Sequence, residues 1–289
     1  MNAEVKHYIE KELNKKLSIE GFGLWQLVGG GSINTTYKLS FSNTAFFVKI
    51  NTIDVFKNGF REEVKGIEFL KQHKVQTPSI IFSGKLREAI FLVLNWIDEG
   101  DRTTSFWENL AQQLAKLHSG KNVKFGLSHT NYMGSLPQKN TFCTNFSQFF
   151  IENRLQPQLQ IAKDKGILPV DIALKFERLF KNLSEIFPTE KPAALHGDLW
   201  SGNFMCNKNR QAVFIDPAVY YGHREVDLSM STLFGGFSEK FYNTYQEIYP
   251  LEPGFAKRKD IYNLYPLLIH LNLFGTSYLG SIKRILLPF

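Results

Sequence analysis

Apolar residues near the beginning of the chain alternate with polar ones in short runs, which is the spacing of half-buried β-strands. These runs are rich in β-branched and aromatic residues and are separated by Gly, Ser and Asn turns. The predicted strands cover residues 24–28, 36–41, 45–50, 80–82 and 89–94. Apolar residues three or four apart predict helices over 5–17 and 60–73. Residues 1–97 therefore indicate a small lobe, an antiparallel sheet that carries one key helix.

After residue 97 the helical spacing dominates. The predicted helices are 106–118, capped by Thr104 or Ser105, then 146–165 with Pro157 near its middle, then 171–187, and a proline-interrupted helical region from 237 onward. A loop-and-hairpin region rich in Gly and Asn lies between Leu195 and Asp216. No Gly/Ser-rich linker separates the two parts, so we expect an α+β protein of two lobes, 1–97 and 98–289, that pack together at a hinge.

The composition is that of a globular protein, with 43% apolar and 21% charged residues. The net charge of +7 is spread without a run of five like charges, which argues against a nucleic-acid surface. The longest apolar run, 89–94, is far shorter than the roughly 20 residues that span a bilayer, and the charged N-terminal stretch is unlike a secretory signal. Cys143 and Cys206 are isolated, so we expect neither a zinc site nor a disulfide, and a reducing, cytoplasmic compartment.

The strongest chemical signal is His196-Gly197-Asp198-Leu199-Trp200-Ser201-Gly202-Asn203, followed by Phe214-Ile215-Asp216. Asp198 and Asn203 lie in one predicted loop, and Asp216 ends a short apolar strand further along the chain. One carboxylate can then meet a reacting hydroxyl, while the amide oxygen and the second carboxylate hold a metal ion. Phosphoryl transfer needs these parts: a group that orients and deprotonates the acceptor, and oxygen ligands for Mg²⁺.

The first lobe contains residues that can bind a nucleotide. The segment Gly29-Gly30-Gly31-Ser32-Ile33-Asn34 lies between two predicted strands, where its backbone N–H groups can cover a triphosphate. Lys49 follows the apolar run 45–48 and is similar to the strand lysine that holds the α- and β-phosphates in kinases. Glu63, on the following helix, can pair with Lys49. The order of these parts along the chain, with the His-x-Asp loop after them, indicates phosphoryl transfer.

Together these motifs resemble the fructosamine kinase (ketosamine 3-kinase) family, in the aminoglycoside phosphotransferase branch of the protein-kinase-like fold. The residues that carry the resemblance are LeuHisGlyAspLeuTrpSerGlyAsn at 195–203, PheIleAspProAla at 214–218, TyrGlyHisArgGluValAspLeu at 221–228, PheGlyGlyPhe at 234–237 and TyrProLeuLeuIleHisLeuAsnLeuPheGly at 265–275. The resemblance covers essentially the whole chain. It implies a bilobal fold in which residues 1–97 bind the nucleotide, and the mainly helical residues 98–289 hold the catalytic loop and the acceptor.

The resemblance also implies a role for each site residue. Asp198 would be the catalytic base, Asn203 and Asp216 the Mg²⁺ ligands, Lys49 the phosphate lysine and Glu63 its partner. The implied nucleotide-binding residues are Gly30, Gly31 and Ser32 in the glycine-rich loop and Asn95, Trp96 and Ile97 in a hinge whose backbone meets adenine. Asp227 would brace the catalytic loop. Asp216-Pro217 stands where protein kinases have Asp-Phe-Gly, so no activation-loop switch is inferred. Ser32 stands where several relatives have Cys, which excludes a redox disulfide there.

The function implied is ATP- and Mg²⁺-dependent phosphorylation of a ketosamine (fructosamine or ribulosamine), free or protein-bound, as in protein deglycation. The alternatives are a kinase for an aminoglycoside or amino alcohol, and a nucleotide-binding module without turnover. The predicted surface of helix 146–160, with Glu152, Arg154 and several Gln, favours a sugar over a cationic acceptor. Trp200 either stacks on a sugar ring or packs internally. His118, His223 and His270 are predicted to be structural hydrogen-bonding groups, and the sequence leaves the oligomeric state open.

Overall fold

The computed structural model describes residues 3–29, 34–56 and 58–289. These residues form two compact units, and each unit has its own apolar core. The first unit comprises the described residues of Met1–Lys65 and Pro78–Glu99, and the second comprises Gly66–Thr77 and Gly100–Phe289. Which unit binds the nucleotide and which the acceptor remains a prediction.

The first unit is built on an antiparallel sheet. Its elements are α1 (Ala3–Leu17), β1 (Leu24–Val28), β2 (Thr35–Ser40), β3 (Ala45–Thr52), the first half of α2 (Gly59–Gln72), β4 (Ile80–Leu86) and β5 (Ala89–Asn95). The strands lie in the order β1-β2-β3-β5-β4. β5 is a continuous apolar run because it lies inside the sheet and is buried along most of its length. Val5, Ile9 and Leu13 of α1 complete the core of this unit.

The second unit is mainly helical. Its elements after α2 are α3 (Thr104–Ser119), β6 (Asn131–Met133), β7 (Leu136–Gln138), α4 (Phe146–Phe150), α5 (Gln156–Asp164), α6 (Val170–Ile186), β8 (Ala193–Leu195), β9 (Phe204–Cys206), β10 (Ala212–Phe214), β11 (Tyr220–Gly222), α7 (Glu225–Leu233), α8 (Glu239–Ile248), α9 (Phe255–Tyr262), α10 (Leu264–Phe274) and α11 (Leu279–Ile285). Across the described residues, none of the helices is both long enough and apolar enough to cross a membrane.

Short antiparallel pairs position the loops that carry the chemistry. β8 pairs with β11 and β9 pairs with β10. β8 ends immediately before His196, β9 begins immediately after Asn203, and β10 ends two residues before Asp216. Each of the two loops, 196–203 and 215–219, is therefore anchored at both ends by a paired strand.

The long helix predicted over 146–165 is present, but it contains a π-helical turn that the sequence analysis did not predict. The chain forms α4, then a π-helical turn over Ile151–Leu155, and then α5. The N–H of Gln156 donates to the carbonyl of Ile151, five residues back, as a π turn requires. Pro157 lies directly after the π turn, in the first turn of α5. The predicted cap of α3 is also displaced, because Thr103 occupies the N-cap position.

Candidate active site

Lys49 and Glu63 form an ion pair within the first unit. Lys49 lies on β3, with strands on both sides, and its side chain is almost completely buried. Its Nζ is 2.8 Å from Glu63 Oε1 on α2. Burial of an ammonium group is costly unless a carboxylate compensates the charge. The adjacent Glu62 pairs with Lys65 instead, so the structure brings Lys49 together with the glutamate named from the sequence.

Residues on either side of the glycine-rich loop are fixed by hydrogen bonds. The predicted phosphate-covering residues of this loop, Gly30, Gly31 and Ser32, lie outside the described residues. Before the loop, the Val28 carbonyl accepts a hydrogen bond from the Thr36 hydroxyl at 2.8 Å. After it, Asn34 Oδ1 accepts from Asn51 Nδ2 at 2.8 Å. The ends of the loop are therefore joined to β2 and β3.

The hinge residues Asn95, Trp96 and Ile97 lie at and just after the end of β5. The N–H of Asn95 donates to the Ser79 carbonyl at 3.0 Å, and the N–H of Trp96 donates to the Ala45 carbonyl at 3.1 Å. Both donors are therefore used within the first unit. If the backbone here donates to an adenine base, the donor is the N–H of Ile97.

The catalytic loop is held by Asp227, in the first turn of α7. Asp227 Oδ2 accepts from the N–H of His196 at 2.8 Å, and Oδ1 accepts from the N–H of Gly197 at 2.9 Å. Gly197 has a φ of +84°, and a Cβ at this position would collide with the Ala218 carbonyl. The N–H of Ala218 donates to the His196 carbonyl at 2.9 Å. Asp227 thus has the bracing contacts that the sequence resemblance implied.

Two buried histidines support the loop as neutral groups. His196 Nε2 faces a main-chain carbonyl at 3.0 Å, which assigns the proton to Nε2 and leaves Nδ1 facing the N–H of Asp198. His118 lies 3.1 Å from Asp227 Oδ2 through Nε2 and 2.7 Å from the Tyr245 hydroxyl through Nδ1. Burial lowers the pKa of both imidazoles, although the Asp227 carboxylate opposes this. Both rings are buried, so they position the loop and neither is exposed to the substrate that accepts the phosphate.

Asp198 and Asn203 are in direct contact. Asn203 Nδ2 donates to Asp198 Oδ2 and to the Asp198 carbonyl, both at 2.8 Å. Burial raises the pKa of the Asp198 carboxyl to about 7, with the charges of Asp216 and Asp227 acting in the same direction and the Asn203 hydrogen bond acting against it. A carboxyl group with a pKa near 7 can both take up and release a proton at neutral pH, as a general base must.

Asp216 has an unusual backbone conformation. Its φ of +52° lies in the left-handed region, which costs a residue other than glycine about 1–3 kcal/mol and is typical of functional sites. The preceding residue, Ile215, donates its N–H to the Asn203 carbonyl at 3.0 Å, which joins the two candidate metal ligands. Because Asn203 uses Nδ2 toward Asp198, its Oδ1 remains for a cation. The amide oxygen and the Asp216 carboxylate would together supply oxygen donors of the kind that Mg²⁺ prefers, so the chemistry of these two residues fits the ion.

Trp200 is partly buried beside the catalytic loop. Its ring meets Phe234 edge-on, with 6.1 Å between centroids, and packs against the larger apolar cluster of the second unit. Gly235 and Gly236 follow with φ values of +73° and +87°, and this turn brings the backbone against Ser201 of the catalytic loop. Internal packing therefore accounts for part of the Trp200 ring, and a sugar contact on the remainder stays a prediction.

Two further histidines form structural contacts. His223 Nδ1 lies 3.1 Å from the Tyr262 hydroxyl, and its ring stacks on Phe146 at 3.7 Å between centroids. His270 Nδ1 lies 2.7 Å from the Pro266 carbonyl. Burial lowers the pKa of both groups, so they are neutral at physiological pH, in agreement with the structural role predicted for them.

Arg154 differs most from its predicted position. The sequence places it beside Glu152 on a polar helix surface, and Glu152 is indeed exposed, but Arg154 is fully buried. Gln158 is buried as well, with its carbonyl and Oε1 both accepting from Asn272 Nδ2. The mixed-polarity surface that was predicted to favour a sugar is therefore wrong for these two residues. No local signal could have shown this, because the π turn changes which side chains face inward.

The chain is similar to known proteins over nearly its whole length. Residues 1–288 match the family model for fructosamine kinase. A protein of Enterococcus faecium assigned as a ketoamine kinase is 39% identical over 261 residues, which cover 90% of this chain and 92% of that protein. The chloroplastic protein-ribulosamine 3-kinase of Arabidopsis thaliana is 38% identical over 267 residues, which cover 90% of this chain and 80% of that protein.

Solved structures agree with these matches. A crystal structure from Haemophilus somnus, assigned as a fructosamine-3-kinase, has a TM-score of 0.85 at 29% identity and covers 96% of this chain and 95% of its own. The gentamicin complex of APH(2″)-IIa has a TM-score of 0.67 at 16% identity, covering 99% of this chain and 96% of its own, and shows a shared fold alone. The predicted α+β, protein-kinase-like fold is confirmed. With a family match across both units, the chain belongs to the fructosamine kinase family.

Proposed function

We propose that this protein is an ATP- and Mg²⁺-dependent kinase that phosphorylates a hydroxyl group of a ketosamine, either free or attached to a protein. Membership of the fructosamine kinase family supports the reaction class. The names of the relatives support the acceptor class, since one is assigned to ketoamines and one to protein-bound ribulosamines. The two isolated cysteines fit a reducing, cytoplasmic site of action.

In this proposal Asp198 accepts the proton of the acceptor hydroxyl while that oxygen bonds to the γ-phosphorus of ATP. The bond from the γ-phosphorus to the bridging β-phosphate oxygen breaks, and ADP leaves. Asn203 orients the Asp198 carboxylate through Nδ2, and its Oδ1 holds Mg²⁺ together with Asp216. When bound, Mg²⁺ neutralises the charge that develops on the phosphate oxygens. Lys49, oriented by Glu63, contacts the α- and β-phosphates. The backbone of the glycine-rich loop and of Ile97 binds the rest of the nucleotide, and Trp200 offers an apolar face to the sugar.

One observation supports the proposal more than any other. Asp198 combines a pKa near 7 with a direct hydrogen bond from Asn203, on a loop whose backbone is bound by Asp227. A loop aspartate that only capped a turn would lower its energy by staying solvated and ionised. A carboxyl group with this pKa, hydrogen-bonded to an amide and carried on a braced loop, has the properties of a proton acceptor at neutral pH.

The test is an ADP-release assay with purified protein, ATP and Mg²⁺. The acceptors are fructosyl-lysine, ribulosyl-lysine and a glycated protein, with an aminoglycoside and an amino alcohol alongside. We expect turnover with at least one ketosamine, and phosphorus NMR of the product then identifies the phosphorylated hydroxyl. Turnover only with the aminoglycoside or the amino alcohol would contradict the acceptor class, and no turnover with any acceptor would contradict the enzyme assignment.

The variant Asp198→Asn separates catalysis from binding. A positioned base contributes about 10²–10⁴ in rate, so kcat should fall by about that factor while MgATP binding is retained. Asp171→Asn, on the exposed first turn of α6, is the matched control and should leave kcat unchanged. A fall of less than tenfold for Asp198→Asn, with chemistry rate-limiting, would remove Asp198 from the role of base.

A further inference from the structure

Arg154 is a cation buried in the core of the second unit. It lies in the π-helical turn Ile151–Leu155 and has no exposed surface. Its guanidinium carbon is 3.9 Å from the ring centroid of Tyr220, 4.7 Å from that of Phe149 and 5.3 Å from that of Tyr265. Among the described residues, no carboxylate forms an ion pair with it. An apolar side chain of similar volume would fill this space without the desolvation cost, so the distinctive contribution of the guanidinium is its directional hydrogen bonding.

Those hydrogen bonds fix the chain just after β7. Nη1 of Arg154 donates to the carbonyls of Lys139 and Asn153, and Nη2 donates to Asn140 Oδ1 at 2.8 Å. A planar guanidinium presents these donors in a rigid arrangement that the flexible ammonium of lysine lacks. The position of residues 139–140 is therefore set by the stacked arginine.

A network of buried amides continues from this point. Asn140 Nδ2 donates to Asn131 Oδ1 at 2.8 Å, and Gln138 Nε2 donates to the same oxygen at 2.9 Å. Gln138 Nε2 also donates to the Ala218 carbonyl at 2.9 Å, and Asn131 Nδ2 donates to the Val219 carbonyl at 2.9 Å. All three amide side chains are buried. The network therefore ends on two consecutive backbone carbonyls.

These two carbonyls belong to the segment that joins the proposed metal ligand to the catalytic loop. Ala218 lies two residues after Asp216, and its N–H donates to the His196 carbonyl at 2.9 Å. The Ala218 carbonyl lies against the Cα of Gly197, where no side chain would fit. A displacement of Ala218 would therefore move both Asp216 and the loop that carries Asp198.

We propose that Arg154 is a positioning residue, which holds Ala218 and Val219 through the buried amides and so sets the relative placement of Asp198 and Asp216. The inference rests on the proposed function, which assigns the chemistry to those two carboxylates. Arg154 itself touches no reacting atom. A misplacement of about 1 Å at a distance from the chemistry can cost about 10²-fold in rate, and this is the loss expected when the guanidinium is removed.

The test compares Arg154→Met with Arg224→Met. Arg224 serves as the control because it too is buried, stacks on a tyrosine with 4.0 Å from guanidinium carbon to the Tyr249 centroid, and donates to main-chain carbonyls. Unlike Arg154, it also forms an ion pair with Glu190 at 2.8 Å, so its loss of stability on substitution should be at least as large. None of the hydrogen bonds of Arg224 leads to the buried amides that hold Ala218 and Val219. Both variants should lower Tm. Only Arg154→Met should lower kcat, by about 10²-fold, with the Kd for MgATP within about twofold of the wild type. Equal kcat values for the two variants, per folded molecule, would overturn the proposal.

A second variant tests the route. Gln138→Leu removes the hydrogen bond from the Gln138 side-chain amide to the Ala218 carbonyl and leaves Arg154 in place. This variant should lower kcat by about tenfold or more. Combined with Arg154→Met, the loss should be far smaller than the product of the two single effects, because both act through one network. If the two losses in kcat multiply, the route through Gln138 is overturned. If Arg154→Met does not fold, an unchanged kcat in Gln138→Leu is enough to overturn it. The proposed function is tested separately. If the wild type turns over and Asp198→Asn does not, the proposed function stands whatever the Arg154 and Gln138 variants show.

Discussion

Replacing Asp198 by Asn should make the protein more stable at alkaline pH while it makes the enzyme inactive. In the folded protein the Asp198 carboxyl keeps its proton up to a pH of about 7, whereas in the unfolded chain it loses the proton near pH 3.8. Between these values the folded state binds more protons than the unfolded state, so the free energy of unfolding falls as the pH rises. The loss of unfolding free energy caused by this carboxyl group is absent below about pH 4 and complete above about pH 7.

The size of the effect follows from the pKa. A rise from 3.8 to about 7 corresponds to about 4 kcal/mol, at 1.36 kcal/mol for each pKa unit. The Asp198 side chain is partly accessible to solvent, which screens its charge, so we take this as an upper bound and expect about 1–3 kcal/mol. Asn keeps the shape of the side chain and removes the charge, so Asp198→Asn should recover this free energy at pH 8 and nothing at pH 4.

Urea unfolding of the nucleotide-free protein in EDTA, followed by circular dichroism at several pH values, measures the difference. The control is Asp227→Asn, where the new amide replaces a carboxylate that accepts two backbone hydrogen bonds, so stability at pH 8 should fall rather than rise. A stability difference between Asp198→Asn and the wild type that is zero, negative or constant from pH 4 to pH 8 would refute the reasoning.

The remaining predictions concern the Lys49–Glu63 ion pair and the two proposed metal ligands. Glu63→Gln removes the carboxylate that pairs with the buried Lys49 ammonium, so the free energy of unfolding should fall by about 3 kcal/mol. Glu62→Gln, whose ion pair has a partly exposed partner, should lose less than about 1 kcal/mol in the same urea experiment, and equal losses would argue against a special role for Glu63. Asp216→Ala should abolish turnover and weaken MgATP binding measured by calorimetry. Asn203→Ala should raise the Mg²⁺ concentration needed for half-maximal turnover, and near-normal activity of Asp216→Ala at ordinary Mg²⁺ would contradict the metal assignment.

The sheet of the first unit could be predicted from the sequence because its signals are local. The predicted 24–28 strand coincides with β1, and the apolar run of β5 identifies the strand buried inside the sheet. The ion pair between Lys49 and Glu63 was also predicted, because Lys49 is similar to the strand lysine of kinases and Glu63 lies on the helix that follows it. These inferences needed only the residue types and their neighbours along the chain.

Apart from the bracing role of Asp227, the support of the catalytic loop could not be predicted in the same way. Arg154 stacks on Tyr220, and Gln138 bonds to Ala218, so each contact joins residues far apart in sequence. The left-handed backbone of Asp216 is likewise imposed by its surroundings, because an aspartate before a proline favours extended conformations in isolation. Long-range packing decides these features, and the residue types alone do not encode them.

The π turn at Ile151–Leu155 affects how this family can be aligned. Such a turn contains one residue more than an α-helical turn between the same two ends. Deleting that residue would restore a regular α-helix and rotate the preceding side chains by about 100° relative to α5. If the deletion fell after Arg154, the arginine would be among the rotated residues and would leave Tyr220. A one-residue gap in this helix, in an alignment of a relative with this chain, therefore signals either an altered buried network or a misplaced gap. Treating it as ordinary length variation would pair residues whose side chains point about 100° apart around the helix.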